Sequence, residues 1–177
     1  MKFDRFDRLI IVFLLLTIVG LSLLLSRTIP ERTTKIETRN MERELAAQAR
    51  QALLDKLYSP VAASMQAGQM QEALLKLEEI NVRYPGEAHG FILKGEIFDR
   101  LGVPDKAAAS LVQGVKLNGD YIDKRSSVSR RDLITRLVDS TLPGAVSAYR
   151  NSPVNAVLKE NLANLNYLKS RLAGGCE

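Results

Sequence analysis

The chain has one histidine, His89, and one cysteine, Cys176. A single histidine cannot build a multi-histidine metal site, and a single cysteine cannot close an intramolecular disulfide. A cysteine nucleophile needs a base within hydrogen-bond reach, and pairing Cys176 with His89 would require the C-terminal tail to fold back over the middle of the chain. Glu78, Glu79 and Glu87 fall on or near helix surfaces, where solvated charge is the simpler reading than acid–base work. The glycines are isolated and form no phosphate-cradling run. The expectation is therefore no enzyme, no cofactor and no bound metal. The densest charge is the basic cluster Lys124, Arg125, Arg130 and Arg131, inside the polar stretch DKRSSVSRR. It suits anionic lipid or an acidic partner, against the plainer reading of a solvated loop.

The element that must position everything else is Leu9–Ser26, LIIVFLLLTIVGLSLLLS, which holds no charged residue. Only lipid accepts apolar surface on every face of a helix, so a run of this kind is read as a membrane-spanning anchor, about 27 Å long at 1.5 Å per residue. Lys2, Arg5 and Arg8 flank it on one side, Arg27 and Arg32 on the other. A cleaved signal peptide is the alternative. The apolar core is long for that, and Ser-Arg-Thr-Ile-Pro-Glu after it has no small-x-small pair. The flanking basic residues are nearly balanced, and the short, dense tail favours an N-terminus inside. In a bacterium this would be an inner-membrane protein with a cytoplasmic N-terminus and a periplasmic C-terminal domain.

The formal charge of the 177-residue chain is +5. Lys2, Arg5 and Arg8 against Asp4 and Asp7 leave residues 1–8 at +1, and so +4 on the remainder. That is too weak and scattered for nucleic acid. Past the anchor, residues 27–53 read as a charged stalk helix. Pro30 is expected to break the helix at the membrane surface. Glu31, Arg32, Lys35, Glu37, Arg39, Glu42, Arg43 and Glu44 then suit i,i+4 pairing. Leu45, Ala49, Ala52, Leu53 and Leu57 give that helix an apolar face, for its own domain or, alternatively, for a partner helix or a second copy.

From there the pattern is wholly helical, with no sustained alternation that would make a strand. Ser59-Pro60 reads as a cap and proline opening a short helix to Gln66. Helices follow over about 70–83, 88–101 and 104–118. Gly68 and Gly102 are 34 residues apart, as are Ala73 and Ala107, Leu77 and Leu111, and Pro85 and Gly119. A 34-residue helix-turn-helix period resembles the tetratricopeptide repeat family. The match spans residues 54–121. In the better copy, Ala88–Tyr121, Phe91 and Phe98 stand at the large aromatic sites. Gly95 and Ala107 stand at the close helix contacts, Leu111 at the large apolar site and Gly114 at the small one. Lys94 and Gly119 depart from the family pattern. In the other copy, Leu54–Glu87, Val61 and Pro60 depart from it, while Ala73, Leu77 and Pro85 fit. What the resemblance implies is a peptide-binding groove lined by one face of each first helix. Here that face is His89, Ile92, Glu96, Asp99 and Arg100 in one copy, and Asp55, Tyr58, Ala62, Met65 and Gln66 in the other. The chain's own stalk or C-terminal helix is an alternative occupant.

Residues 122–173 read as a helical extension. Ser129 and Asp132 form a capping box for a helix carrying Leu133, Ile134, Leu137 and Val138, which Thr141-Leu142-Pro143-Gly144 should break. Ser152-Pro153 should open the last helix, to Leu172, capping the repeats. Residues 174–177 form a flexible tail. The expected architecture is thus all-α: an N-terminal transmembrane helix, a stalk helix, two repeat-like hairpins and a C-terminal helical cap. The expected function is a non-catalytic, membrane-anchored scaffold or accessory subunit that binds protein partners in a membrane complex. Self-assembly through anchor and stalk is the alternative.

Overall fold

The computed structural model describes the backbone of residues 5–174, and the side chains within it except those of residues 5–8, 25–38, 40 and 43. The described residues are all-α. Helix α1 spans Arg5–Gln66, α2 Met70–Arg83, α3 Ala88–Arg100 and α4 Pro104–Leu117. A 3-10 turn occupies Gly119–Tyr121, followed by α5 over Arg131–Asn151 and α6 over Ala156–Leu172. The chain divides into two compact units, Met1–Leu53 and Leu54–Glu177.

In the first unit α1 continues through Pro30 instead of stopping there. Proline removes one helix hydrogen bond at a cost of about 3 kcal/mol, which can bend a helix without ending it. The large apolar side chains between Leu9 and Leu24 are all exposed, from 47% at Ile11 to 69% at Phe13. The Thr17 hydroxyl donates to the Leu14 carbonyl at 2.8 Å, so it needs no outside partner. Among the described residues no helix is long and apolar enough to cross a membrane. Leu9–Leu24 gives only about 24 Å of helix against roughly 30 Å of hydrocarbon. The side chains of Leu25 and Ser26, which end the run read from the sequence, lie outside the described residues. So do those of Arg5, Arg8, Glu31, Arg32, Lys35, Glu37 and Arg43.

The second unit begins with the last turns of α1, residues 54–66. No new helix opens at Pro60. Ser59 is not a cap: its hydroxyl donates to the Lys56 carbonyl at 3.0 Å. That carbonyl is the one that the absent Pro60 N–H would otherwise have reached, so the serine supplies the bond that the proline removes.

The 34-residue period reappears in the backbone hydrogen bonds. Gly68 N–H donates to Met65 O and Gln69 N–H to Ser64 O; Gly102 N–H donates to Asp99 O and Val103 N–H to Phe98 O, the same pair of bonds one period on. Gly68 (φ 77°) and Gly102 (φ 70°) both adopt the left-handed conformation that closes a helix and that glycine enters without strain. The second helices also end alike, with Tyr84 N–H to Ile80 O and Asn118 N–H to Gly114 O, each at 2.9 Å.

Consecutive helices pack together: α2 on α3, α3 on α4 and α5 on α6, while α5 and α6 both reach α4. The α3–α4 pair is closest, through two glycines. A Cβ on Gly95 would meet Leu111 Cδ2 at 2.8 Å and Ala107 O at 3.2 Å; one on Gly114 would meet Ile92 Cδ1 at 2.6 Å. Each helix thus offers a bare patch to a branched side chain of the other. Partner numbers fall on α4 as they rise on α3, so the pair is antiparallel.

Helix α3 is shared between two cores. Leu93 and Ile97 join Tyr58, Val61 and Met65 of α1 with Ala73 and Leu77 of α2. Ala88 and Ile92 join α4, the 3-10 turn, α5 and α6, including Leu111, Val115, Tyr121, Ile134, Leu165 and Leu168. Full burial of a side chain of this size is worth about 1.5–3 kcal/mol. Helix α5 runs on through Pro143; the proline and Asp139, whose carbonyl loses its partner, lie on the exposed face, open to solvent. Helix α6 starts later than expected, with Asn155 as its cap, the amide oxygen accepting from Val157 N–H at 3.0 Å and Leu158 N–H at 3.3 Å.

Candidate functional site

The helix faces that should line a groove are divided by the packing. Tyr58 (2%), Met65 (5%) and Ile92 (0%) are buried. This corrects their placement on an open binding face. Tyr58 and Met65 are enclosed by α2 and α3, and Ile92 fills the space beside Gly114. His89, Glu96 and Asp99 are half-buried and Arg100 is exposed. Arg100 donates to Glu96 at 2.7 Å and, at 3.5 Å, to the Met65 carbonyl in the last turn of α1. The surface left by this face is therefore polar and formed by Glu96, Asp99 and Arg100.

His89 sits between two tyrosines. Its Nδ1 is 2.9 Å from the Tyr121 hydroxyl. Its ring centroid is 4.9 Å from that of Tyr58 and 6.0 Å from that of Tyr121. Burial lowers the His89 pKa from its ordinary value and the Arg130 charge lowers it further, against the opposing pull of Asp55, Glu87 and Glu96. Burial likewise pushes the Tyr58 phenol up, with Glu87 adding to it. The Tyr58 hydroxyl is buried without a hydrogen-bond partner, next to Gly90, where a Cβ would collide with Asn81 and stand 3.0 Å from that hydroxyl. This is a packed joint between the two cores: neutral imidazole is favoured, and its observed bond is to a phenol, the arrangement of a structural wedge. No group of three or more His, Cys, Asp or Glu among the described residues could hold a metal ion, and Cys176 lies outside them.

Glu78 and Glu79 are both in ion pairs, Glu78 with Lys94 at 3.1 Å and Glu79 with Arg83 at 2.9 Å.

The four residues of the basic cluster play different parts. Arg131 is half-buried and ties chain segments together: Nη1 donates to Ile122 O at 3.1 Å and Nη2 donates to Leu172 O at the end of α6. Arg130 donates through its backbone to Tyr121 O at 2.7 Å and through Nη1 to Ser129 O at 3.1 Å. Arg125 donates its backbone N–H to Asp123 Oδ1 at 2.9 Å, and its exposed guanidinium stands 3.7 Å from the same oxygen. That backbone bond is the main reason the Asp123 carboxyl titrates below its usual value. Lys124 is exposed. Ser129 receives the Arg131 N–H at 3.3 Å, so the expected capping box shrinks to a local turn, and Arg130 occupies the cap of α5.

Around these residues opens a cleft of about 1110 Å³, between the 3-10 turn and polar loop on one side and the last turn of α6 on the other. Its charged wall is Lys124, Arg125, Arg131 and Arg171, with Asp120 and Asp123 opposing them. A smaller recess of about 360 Å³ shares Lys124 and Arg131 and adds Arg130 and Asp132. Sequence reasoning missed Arg171, which sits 40 positions beyond the last residue of the cluster. The only local hint was a cation in the final turn of a helix, where it also complements the helix dipole.

No protein-family model, curated protein or solved structure matches the chain.

Proposed function

We propose that the chain is a membrane-anchored, non-catalytic scaffold whose helical hairpins hold a protein partner in a membrane-associated complex. The observation that carries this reading is the uncovered apolar helix of the first unit. From Leu9 to Leu24 there is no charge, and the large apolar side chains are exposed on every face. Such a surface needs an apolar surrounding that its own chain does not provide. With Leu25 and Ser26 the uncharged run reaches about 27 Å, and a bilayer thins locally to accept a slightly short span at modest cost. The tetratricopeptide-like reading is supported by the 34-residue recurrence of the turn hydrogen bonds and by the glycine contacts of the α3–α4 pair. We place the N-terminus on the cytoplasmic side of a bacterial inner membrane.

The test is fractionation of native membranes containing the full chain, followed by mild detergent and co-purification. Retention through alkaline carbonate is expected, with loss of retention when Leu14, Leu16 and Val19 are replaced by aspartate. Charge reversal at Asp99 should reduce recovery of the partner with little change in the melting temperature. A chain washed off by carbonate, or a partner recovered equally by the charge-reversed chain, removes the corresponding half of the reading.

A second reading is self-assembly through the first unit. It is favoured by Met41 (63%), Leu45 (59%) and Leu53 (66%), apolar and exposed on α1. Replacing Leu45 and Leu53 by aspartate should halve the particle mass in detergent if this reading holds; an unchanged monomer sinks it.

A further inference from the structure

We propose that the cleft between the 3-10 turn and the end of α6 binds an acidic peptide segment of the partner protein, with Arg171 and Lys124 as its recognition groups. This rests on the scaffold reading only in taking the partner to be a protein.

The cations of the wall are not equivalent. Arg131 spends both ends of its guanidinium on the carbonyls of Ile122 and Leu172. Arg125 is turned to Asp123. Arg171 differs: its Nε–H is buried and finds no acceptor within the chain. A buried donor left unmade costs about 1–3 kcal/mol, so an acceptor in the cleft that draws the Arg171 guanidinium toward it relieves that cost. Lys124 stands exposed across the same space. A guanidinium edge donates two parallel bonds to a planar carboxylate, whereas an ammonium donates one in any direction.

The two aspartates decide what kind of anion is favoured. Asp120 and Asp123 line the same cleft. They repel a doubly charged phosphate group strongly. Singly charged carboxylates spaced along a peptide can face Arg171 and Lys124 while the peptide's own N–H groups face the aspartates. The volume also fits: clefts of roughly 300–1,000 Å³ hold drug-sized ligands, so about 1110 Å³ admits several peptide residues.

The test uses the full chain purified in detergent and a fluorescein-labelled peptide of alternating glutamate and glycine, read by anisotropy. Saturable binding is expected, weakening as salt rises. The glutamine–glycine peptide should bind about tenfold more weakly, and Arg171→Gln should lose about the same factor, the scale of one charge-assisted hydrogen bond. Lys124→Gln, at an exposed position that folding does not depend on, should cost about threefold. Equal binding of both peptides overturns the proposal, as does unchanged binding by both variants. Displacement of the peptide by pyrophosphate at lower concentration than by unlabelled peptide also overturns it, in favour of a phosphate site. The measurement needs neither membrane nor native partner. An Arg171→Gln chain that loses the peptide yet still recovers the partner from membranes removes the cleft's role and leaves the scaffold standing. A chain that binds the peptide normally but is washed off membranes does the reverse.

Discussion

Leu111 occupies the space that a side chain on Gly95 would need: a methyl group there would stand 2.6 Å from Leu111 Cγ. The same relationship holds in mirror form between Gly114 and Ile92. Replacing glycine by alanine in a helix should gain about 1 kcal/mol in propensity. Overpacking a filled contact costs about 1–3 kcal/mol. The second effect wins because Ala107 O, a backbone atom, also lies within 3.2 Å and cannot rotate away. Gly95→Ala should therefore lower the unfolding free energy by about 1 kcal/mol net, read as a lower urea midpoint, and Gly95→Val by more. A stabilised Gly95→Ala chain would show that α3 and α4 do not touch there.

Ser59 and Pro60 should behave as a coupled pair. Ser59→Ala is expected to cost about 0.5–1 kcal/mol in the native background, because the Lys56 carbonyl then has only water. In a Pro60→Ala background the restored N–H serves that carbonyl, and Ser59→Ala should cost almost nothing. A double-mutant cycle by urea denaturation measures the coupling; additive costs would contradict the pairing.

Arg131 should matter more to stability than its neighbours in sequence. Arg131→Gln breaks two charge-assisted bonds to the carbonyls of Ile122 and Leu172, and should cost about 2–3 kcal/mol. Lys124→Gln, on the exposed loop, should change stability by less than about 0.5 kcal/mol. Thermal denaturation of the two variants separates a tie between segments from a merely solvated charge.

His89 should make the fold acid-sensitive. Its folded-state pKa lies below the unfolded value near 6.5, chiefly from burial and then from Arg130. Above that value both states are neutral, and the favourable packing between Tyr58 and Tyr121 is fully present. As pH falls below it the unfolded chain takes up a proton that the folded chain resists, so stability drops until the folded pKa is passed. His89→Gln should flatten the stability profile in that window. Asp123, also lowered, acts only below its own ordinary value of 3.8, and Tyr58, raised, acts only above 10.0, where stability falls as pH rises through its folded pKa. Neither can imitate the histidine signal. An unchanged slope in His89→Gln would assign the acid sensitivity elsewhere.

Helices α2, α3 and α4 were legible one by one. Their boundaries at Gly68, Tyr84, Gly102 and Asn118 follow from residues that end helices by their own conformational preference, and a 34-residue period in such residues survives into the hydrogen bonds. The prolines at 30, 60 and 143 misled, since a proline guarantees only a lost bond. Whether the helix then stops depends on what replaces that bond: the Ser59 hydroxyl at one site, an exposed face open to solvent at another. The groove residues misled for a different reason. Spacing places Tyr58, Met65 and Ile92 on one side of their helices, but it cannot say how many neighbours that side meets.

What the amino-acid order alone determined is local: an uncharged opening run, helical periodicity throughout, and paired helices close enough for glycine and alanine. These depend on interactions spanning a few residues, which the order of side chains encodes directly. Tertiary structure alone decided that α3 serves two cores, that His89 lies between tyrosines from two different segments, and that Arg171 comes to share a cleft with Lys124. Those outcomes depend on contacts between different segments, 31 and 32 positions apart for the tyrosines about His89 and 47 for Lys124 and Arg171. Many partners compete for such contacts, and only the packing of the whole unit selects among them.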